Sequence, residues 1–146
     1  MVILSKFVEN LKDLMFDNKL SQKELADNTG IDKASINRYL KGNCIPNLKA
    51  VVKLCDYFCC SVDFLIGKST ENTQIKFLPC PPFSQRLHLF LEKYGGTPLS
   101  LCKAAGLPDS KFYGWLNGTN FPRIDSVDKL AEFFKISIDQ FLGRET

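Results

Sequence analysis

The chain has 146 residues, 45% of them hydrophobic and 24% charged, the proportions of a globular protein rather than a disordered one. Its net charge is only +3, so bulk charge does not announce a nucleic-acid binder. No apolar run approaches the roughly 18–20 residues that a membrane helix needs, and the opening MVILSKFVENLKDLM carries acids and lacks a small-residue cleavage site, which argues against a secretory signal and leaves the cytoplasm as the expected location.

In chain order, the spacing predicts a first helix over residues 3–17, with Leu4, Phe7, Val8, Leu11, Leu14 and Met15 on one face. Asn18 and Lys19 close it. Ser21-Gln-Lys-Glu24 reads as a capping box opening a second helix that runs to about Asn28. Gly30 supplies a turn, and Asp32 is expected to cap a third helix ending at Lys41, with Gly42 just beyond it. Asn47 caps a fourth helix whose face is Leu48, Val51, Leu54, Cys55 and Phe58. Ser61 caps a short fifth helix carrying Val62 and Leu65 and ended by Gly67.

Residues 68–82, KSTENTQIKFLPCPP, are polar first and proline-rich last, as in a linker. Thr73–Leu78 reads as a short extended strand within it. The helical pattern then restarts with Phe83, Leu87, Phe90 and Leu91. Thr97 followed by Pro98 is an N-cap with proline at the first helical position. A further helix carries Phe112, Trp115 and Leu116, and Ser137-Ile-Asp-Gln140 is another capping box.

The restart is a repeat. Residues 21–67 align with 97–143 without a gap at a shift of 76 residues, matching Leu25/Leu101, Gly30/Gly106, Leu40/Leu116, Gly42/Gly118, Pro46/Pro122, Val51/Val127, Leu54/Leu130 and Gly67/Gly143. The matched positions are mostly apolar, glycine or proline, the residue types that specify a fold. A repeat of this length present twice means two copies of a small domain rather than a solenoid. The expected organisation is a domain over 1–67, a linker over 68–82 and a diverged domain over 83–146. Charge is balanced in each part, 9 Lys and Arg against 8 Asp and Glu in the first and 8 against 7 in the last. Any basic surface must therefore come from local placement.

Chemistry beyond binding finds little support. The six cysteines, at 44, 55, 59, 60, 80 and 102, include no Cys-x-x-Cys pair, and His88 is the only histidine. Buried reduced thiols acting as small apolar residues are the expected reading, with a redox sensor as the alternative. There is no His-Glu-x-x-His and no phosphate-cradling glycine loop. No catalytic residue, metal ligand or cofactor is expected.

The apolar spacing Leu25-Ala26, Gly30-Ile31, Ile36, Leu40 places the inside of a tight helix corner. It leaves the outer face of the third helix to Lys33, Ala34, Ser35, Asn37, Arg38 and Lys41. Tyr39 and its counterpart Trp115 read as core. SQKELADNTGIDKASINRYLKG, then Pro46, then SVDFLIG resembles the XRE (lambda-repressor-like) helix-turn-helix DNA-binding family over most of residues 4–67, and the second copy matches more loosely over 83–143. The resemblance implies an all-α chain of two tandem five-helix lambda-repressor-like helix-turn-helix domains and a sequence-specific transcriptional regulator, a repressor by the habit of the family, whose partner is double-stranded DNA.

Carried over by position, the resemblance implies that Gln22 touches phosphate or braces the third helix. Lys33, Ala34, Asn37 and Arg38 sit at or beside base-reading positions, and Ser35, Lys41 and Asn43 contact the backbone. Arg38 is the sharpest candidate, because a guanidinium can bond both O6 and N7 of guanine. The second copy departs here: Pro108, Asp109, Ser110, Tyr113 and Gly114 stand where the first has Asp32, Lys33, Ala34, Asn37 and Arg38. Gly114 also weakens a helix relative to alanine. Its candidate DNA face is Ser110, Lys111, Tyr113, Asn117, Thr119 and Arg123. Two readings stay open: a second DNA reader with other preferences, or a module for homodimerisation or partner binding, as in an antitoxin. A 15-residue linker spans on the order of 50 Å when stretched, enough to reach successive major-groove faces about 34 Å apart.

Overall fold

The structure, a computed structural model, describes residues 2–71 and 77–145. It is all-helical, and the chain divides into two compact units, Met1–Phe77 and Leu78–Thr146. The expected strand at Thr73–Leu78 falls mostly outside the described residues.

The first unit contains α1 (Val2–Asp17), α2 (Gln22–Thr29), α3 (Lys33–Leu40), α4 (Leu48–Phe58) and α5 (Val62–Leu65). α1 packs on α3 and α5, α2 on α3 and α4, and α4 on α5. The apolar stripes meet in one core in which Phe7, Leu11, Leu25, Ile36, Val51, Leu54 and Leu65 are fully buried, each side chain contributing about 1.5–3 kcal/mol by leaving water. Phe7 meets Tyr39 edge to face at 5.9 Å. Leu4, Val8 and Leu40, expected in the core, are half-buried at its margin.

Caps set the helix starts. Ser21 Oγ accepts from the Glu24 amide and Glu24 Oε1 accepts from the Ser21 amide, closing the expected box. Asn47 and Ser61 accept from the Ala50 and Phe64 amides. Asp32 occupies the cap position of α3 but makes no side-chain capping bond. Its ψ of 134° differs from the 154–166° of Ser21, Asn47 and Ser61, and this turn keeps the carboxylate off the first-turn amides. Helix α2 ends on Gly30, whose φ of 76° any Cβ would strain.

The second unit contains α6 (Phe83–Tyr94), α7 (Pro98–Ala105), α8 (Asp109–Asn117), α9 (Ile124–Phe133) and α10 (Ile138–Leu142). Leu87, Leu101, Phe112, Val127, Leu130 and Phe141 fill its core, and Phe90 stacks on Phe141 at 4.4 Å. Leu91 is half-buried. The Thr97 and Ser137 capping boxes both form. Leu78, read from sequence as linker, donates its amide to the Arg144 carbonyl at 2.8 Å, and Cys80 Sγ lies 3.7 Å from the Leu142 carbonyl oxygen.

Among the described residues, every left-handed backbone position of the first unit has a counterpart 76 residues on: Lys19/Gly95, Gly30/Gly106, Gly42/Gly118, Cys59/Lys135 and Gly67/Gly143. A side-chain clamp corresponds as well. Asn10 Nδ2 donates to the Phe64 and Leu65 carbonyls at 2.9 and 3.1 Å. Arg86 Nη2 and Nε donate to the Gln140 and Phe141 carbonyls at 2.8 and 2.9 Å. Both tie the first helix of a unit to its last, whose terminal carbonyls lack helical partners.

The cysteines are not all buried as expected. Cys55, Cys60 and Cys102 are buried, Cys44 and Cys80 half-buried, and Cys59 exposed. Cys59 sits in the left-handed residue that ends α4, a surface position occupied in the second unit by the exposed Lys135.

Candidate nucleic-acid interface

The outer face of α3 is held out by its inner one. Ile36 and Tyr39 are buried, which fixes the rotation of the helix and leaves Lys33, Ala34, Arg38 and Lys41 exposed, with Ser35 and Asn37 half-buried. Burial raises the Tyr39 hydroxyl above its ordinary pKa; nearby Cys44 adds to the shift and Arg38 opposes it. At neutral pH the ring is therefore an uncharged anchor for the helix.

Gln22 and Asn37 meet across the corner. Asn37 Nδ2 donates to Gln22 Oε1 at 3.2 Å, so the first residue of α2 braces the middle of α3. Of the two roles weighed for Gln22, the geometry displays the brace, and its partner is a residue expected to read bases. The bond leaves the Asn37 carbonyl oxygen and the Gln22 amide as groups able to meet an outside partner. Arg38 Nη2 donates to Ser35 Oγ at 3.1 Å, which draws the guanidinium back along the exposed face. Beyond the helix, Asn43 is exposed and its amide closes on the Arg38 carbonyl at 3.1 Å. Lys33 and Arg38 on α3 and Lys41 just past its end thus stand beside a braced amide pair. That combination suits a groove lined by phosphates and base-edge acceptors.

The corresponding face of the second unit is chemically different. Ser110, Lys111, Asn117 and Thr119 are exposed. Asn117 Oδ1 accepts from the Thr119 amide and hydroxyl at 3.0 and 2.7 Å, which shapes the loop after α8. Arg123 is paired with Asp125 at 3.0 Å, so this cation is already partly neutralised. Gly114, where the first unit has Arg38, is more than a weak point in the helix. A Cβ there would collide with the Asn120 side chain, so the missing side chain makes room for that amide. Tyr113 and Phe121 are 58% and 50% exposed, and Leu99, on α7, is 43% exposed. Trp115 is buried, as expected of core.

Sequence reasoning missed the Asn37 partner and the Arg123–Asp125 pair. The second was signalled by the repeat itself, since Asp125 stands opposite Lys49 at the shift of 76 and reverses its charge. Among the described residues, no group of three or more metal-binding side chains comes together, and no helix is long and apolar enough to cross a membrane.

Comparison with known proteins finds a family match within the first unit. Residues 10–67 match the family described as the Cro/C1-type HTH DNA-binding domain. A Bacillus subtilis (strain 168) protein named as an uncharacterized HTH-type transcriptional regulator, YqaE, is 33% identical over 67 residues, which is 45% of this chain and 58% of the relative. The chain therefore spans little more than half the length of that relative. No solved structure matches with significance. Residues 10–67 are thus a Cro/C1-type helix-turn-helix domain.

Proposed function

We infer that the protein is a sequence-specific DNA-binding transcriptional regulator that works in the cytoplasm and inserts α3 of the first unit into the major groove. The observation that carries this reading is the face of α3: a braced Gln22–Asn37 pair flanked by the exposed cations Lys33, Arg38 and Lys41. In this reading Lys33, Ala34, Asn37 and Arg38 face base edges, while Gln22, Ser35, Lys41 and Asn43 hold the phosphate backbone. Regulation is by repression, through occupation of an operator. The name of the Bacillus relative supports a role in transcription, and the domain match supports DNA as the partner. Selection of duplexes from a random pool by the full chain tests the proposal. A single enriched motif is expected, and a pool that stays random contradicts it.

The second unit is proposed as another lambda-repressor-like domain that has turned from DNA towards protein contact. The five matched left-handed positions and the Asn10/Arg86 clamp support the shared scaffold. The exposed Leu99, Tyr113 and Phe121 support the change of partner, which is a second copy of the chain or another protein. Sedimentation of the full chain, with and without Tyr113→Ala and Phe121→Ala, checks self-association. If the wild type is a dimer, the substitutions are expected to yield monomer with unchanged affinity for a single half-site. If operator binding falls instead and association does not, the face reads DNA.

A further inference from the structure

Ser35 stands one turn before Arg38 on α3, and helix residues at that spacing share a face. A helical side chain lies over the turn N-terminal to its own Cα. Arg38 follows that rule: its Nη2 donates to Ser35 Oγ at 3.1 Å, which draws the guanidinium toward the first turn of α3. The exposed Ala34, beside Ser35, adds only a methyl group to that turn. The N-terminal residues of a recognition helix are the ones that reach base edges in the major groove. Serine does not serve the helix itself, in which it is less favourable than alanine.

The bond aligns the guanidinium without neutralising it, because its acceptor is a hydroxyl. Arg123 of the second unit is held instead by the carboxylate of Asp125. The second unit has Lys111 and Gly114 where the first has Ser35 and Arg38, so the cation and its hydroxyl are replaced together. Of the five N–H donors of the guanidinium, one is used on Ser35, and an adjacent pair stays available for O6 and N7 of guanine. The hydroxyl that accepts from Arg38 keeps its own proton for a phosphate oxygen, so both roles fit one side chain. We propose that Ser35 is a positioning residue for base reading: its hydroxyl holds the Arg38 guanidinium ready for one guanine and so sets part of the specificity at that base pair. A guanidinium held in this way loses less rotamer freedom on binding than a loose one. This role rests on the reading of α3 as the base-reading helix and of Arg38 as its guanine contact.

Titration at fixed salt tests it, with the full chain, the operator selected from a random pool, and that operator with its guanines replaced one at a time. Arg38→Ala identifies the guanine, as the position whose discrimination it removes. Ser35→Ala is expected to lower discrimination at that position roughly three- to tenfold and to leave it unchanged elsewhere. Its Tm is expected to equal or exceed that of the wild type, because alanine favours the helix. Ser35→Thr keeps the hydroxyl and is expected to retain the discrimination. In the Arg38→Ala background, Ser35→Ala is expected to change discrimination no further. If Arg38→Ala removes discrimination at no position, the reading of Arg38 fails and the role of Ser35 with it. If Arg38→Ala removes it but Ser35→Ala preserves it in full, or weakens every duplex alike, Arg38 stands as the reader and the proposal for Ser35 is overturned. A loss in Ser35→Thr as large as in Ser35→Ala also overturns it.

Discussion

Asn37 and Arg38 are neighbours in sequence but are held by different means, one by Gln22 on another helix and one by Ser35 a turn back. The braced residue and its brace should behave as a unit. Gln22→Ala and Asn37→Ala are expected to weaken operator binding by similar amounts, and the double variant by much less than their sum; a double-mutant cycle reads the coupling. Lys41→Ala acts differently. It is expected to weaken binding to every duplex alike and to reduce the slope of log affinity against log salt by about one. Two buried residues give stability an alkaline limit. Burial, with a smaller contribution from Asp109, raises the Cys102 thiol above its ordinary value, and burial does the same for Tyr39. The unfolded chain releases the Cys102 proton first, so stability is retained below roughly pH 8.5 and falls as pH rises through the higher folded value. Urea unfolding should show that the loss between neutral and alkaline pH is smaller in Cys102→Ala than in the wild type.

Among the elements, the caps and glycine stops were legible because each depends on residues within a few positions. Ser21 with Glu24, Asn47, Ser61, Thr97 and Ser137 with Gln140 all cap the helices that their local patterns mark. Asp32 fails because capping needs a backbone angle as well as a carboxylate. The ties that close each unit were not legible, because Asn10 and Phe64 are far apart in sequence and because asparagine and arginine share the task at equivalent positions. Asn10→Ala removes the side-chain donor from the Phe64 and Leu65 carbonyls, of which Phe64 keeps the Gly67 amide, and is expected to cost about 1–3 kcal/mol, measured by chemical denaturation. The buried Asp139–Arg144 ion pair is a stiffer constraint, with side chains 1% and 0% exposed. Asp139→Ala strands a buried charge and is expected to destabilise the second unit by roughly 3–5 kcal/mol.

At the scale of the whole molecule, the repeat separates positions that agree between the two units from positions that differ. Positions that build the core and the turns agree across the shift of 76, as Leu25/Leu101, Leu54/Leu130 and Gly30/Gly106 show. Positions on the outer face of α3 and α8 are free of that constraint, and there Asn37 and Arg38 give way to Tyr113 and Gly114. Sequence alone located the candidate reading face of the first unit through its apolar spacing. For the second it placed a candidate face by position, from Ser110 to Arg123, but the Asn120 packing against Gly114 arises only in three dimensions. The central claim is that α3 of the first unit reads bases through Arg38. The most direct measurement is a titration of the selected operator, and of duplexes changed one base pair at a time, with the full chain and with Arg38→Ala at fixed salt. The account predicts that Arg38→Ala loses about 1–3 kcal/mol on the operator and no longer distinguishes one particular guanine position from its replacements. Unchanged discrimination at every position would contradict it.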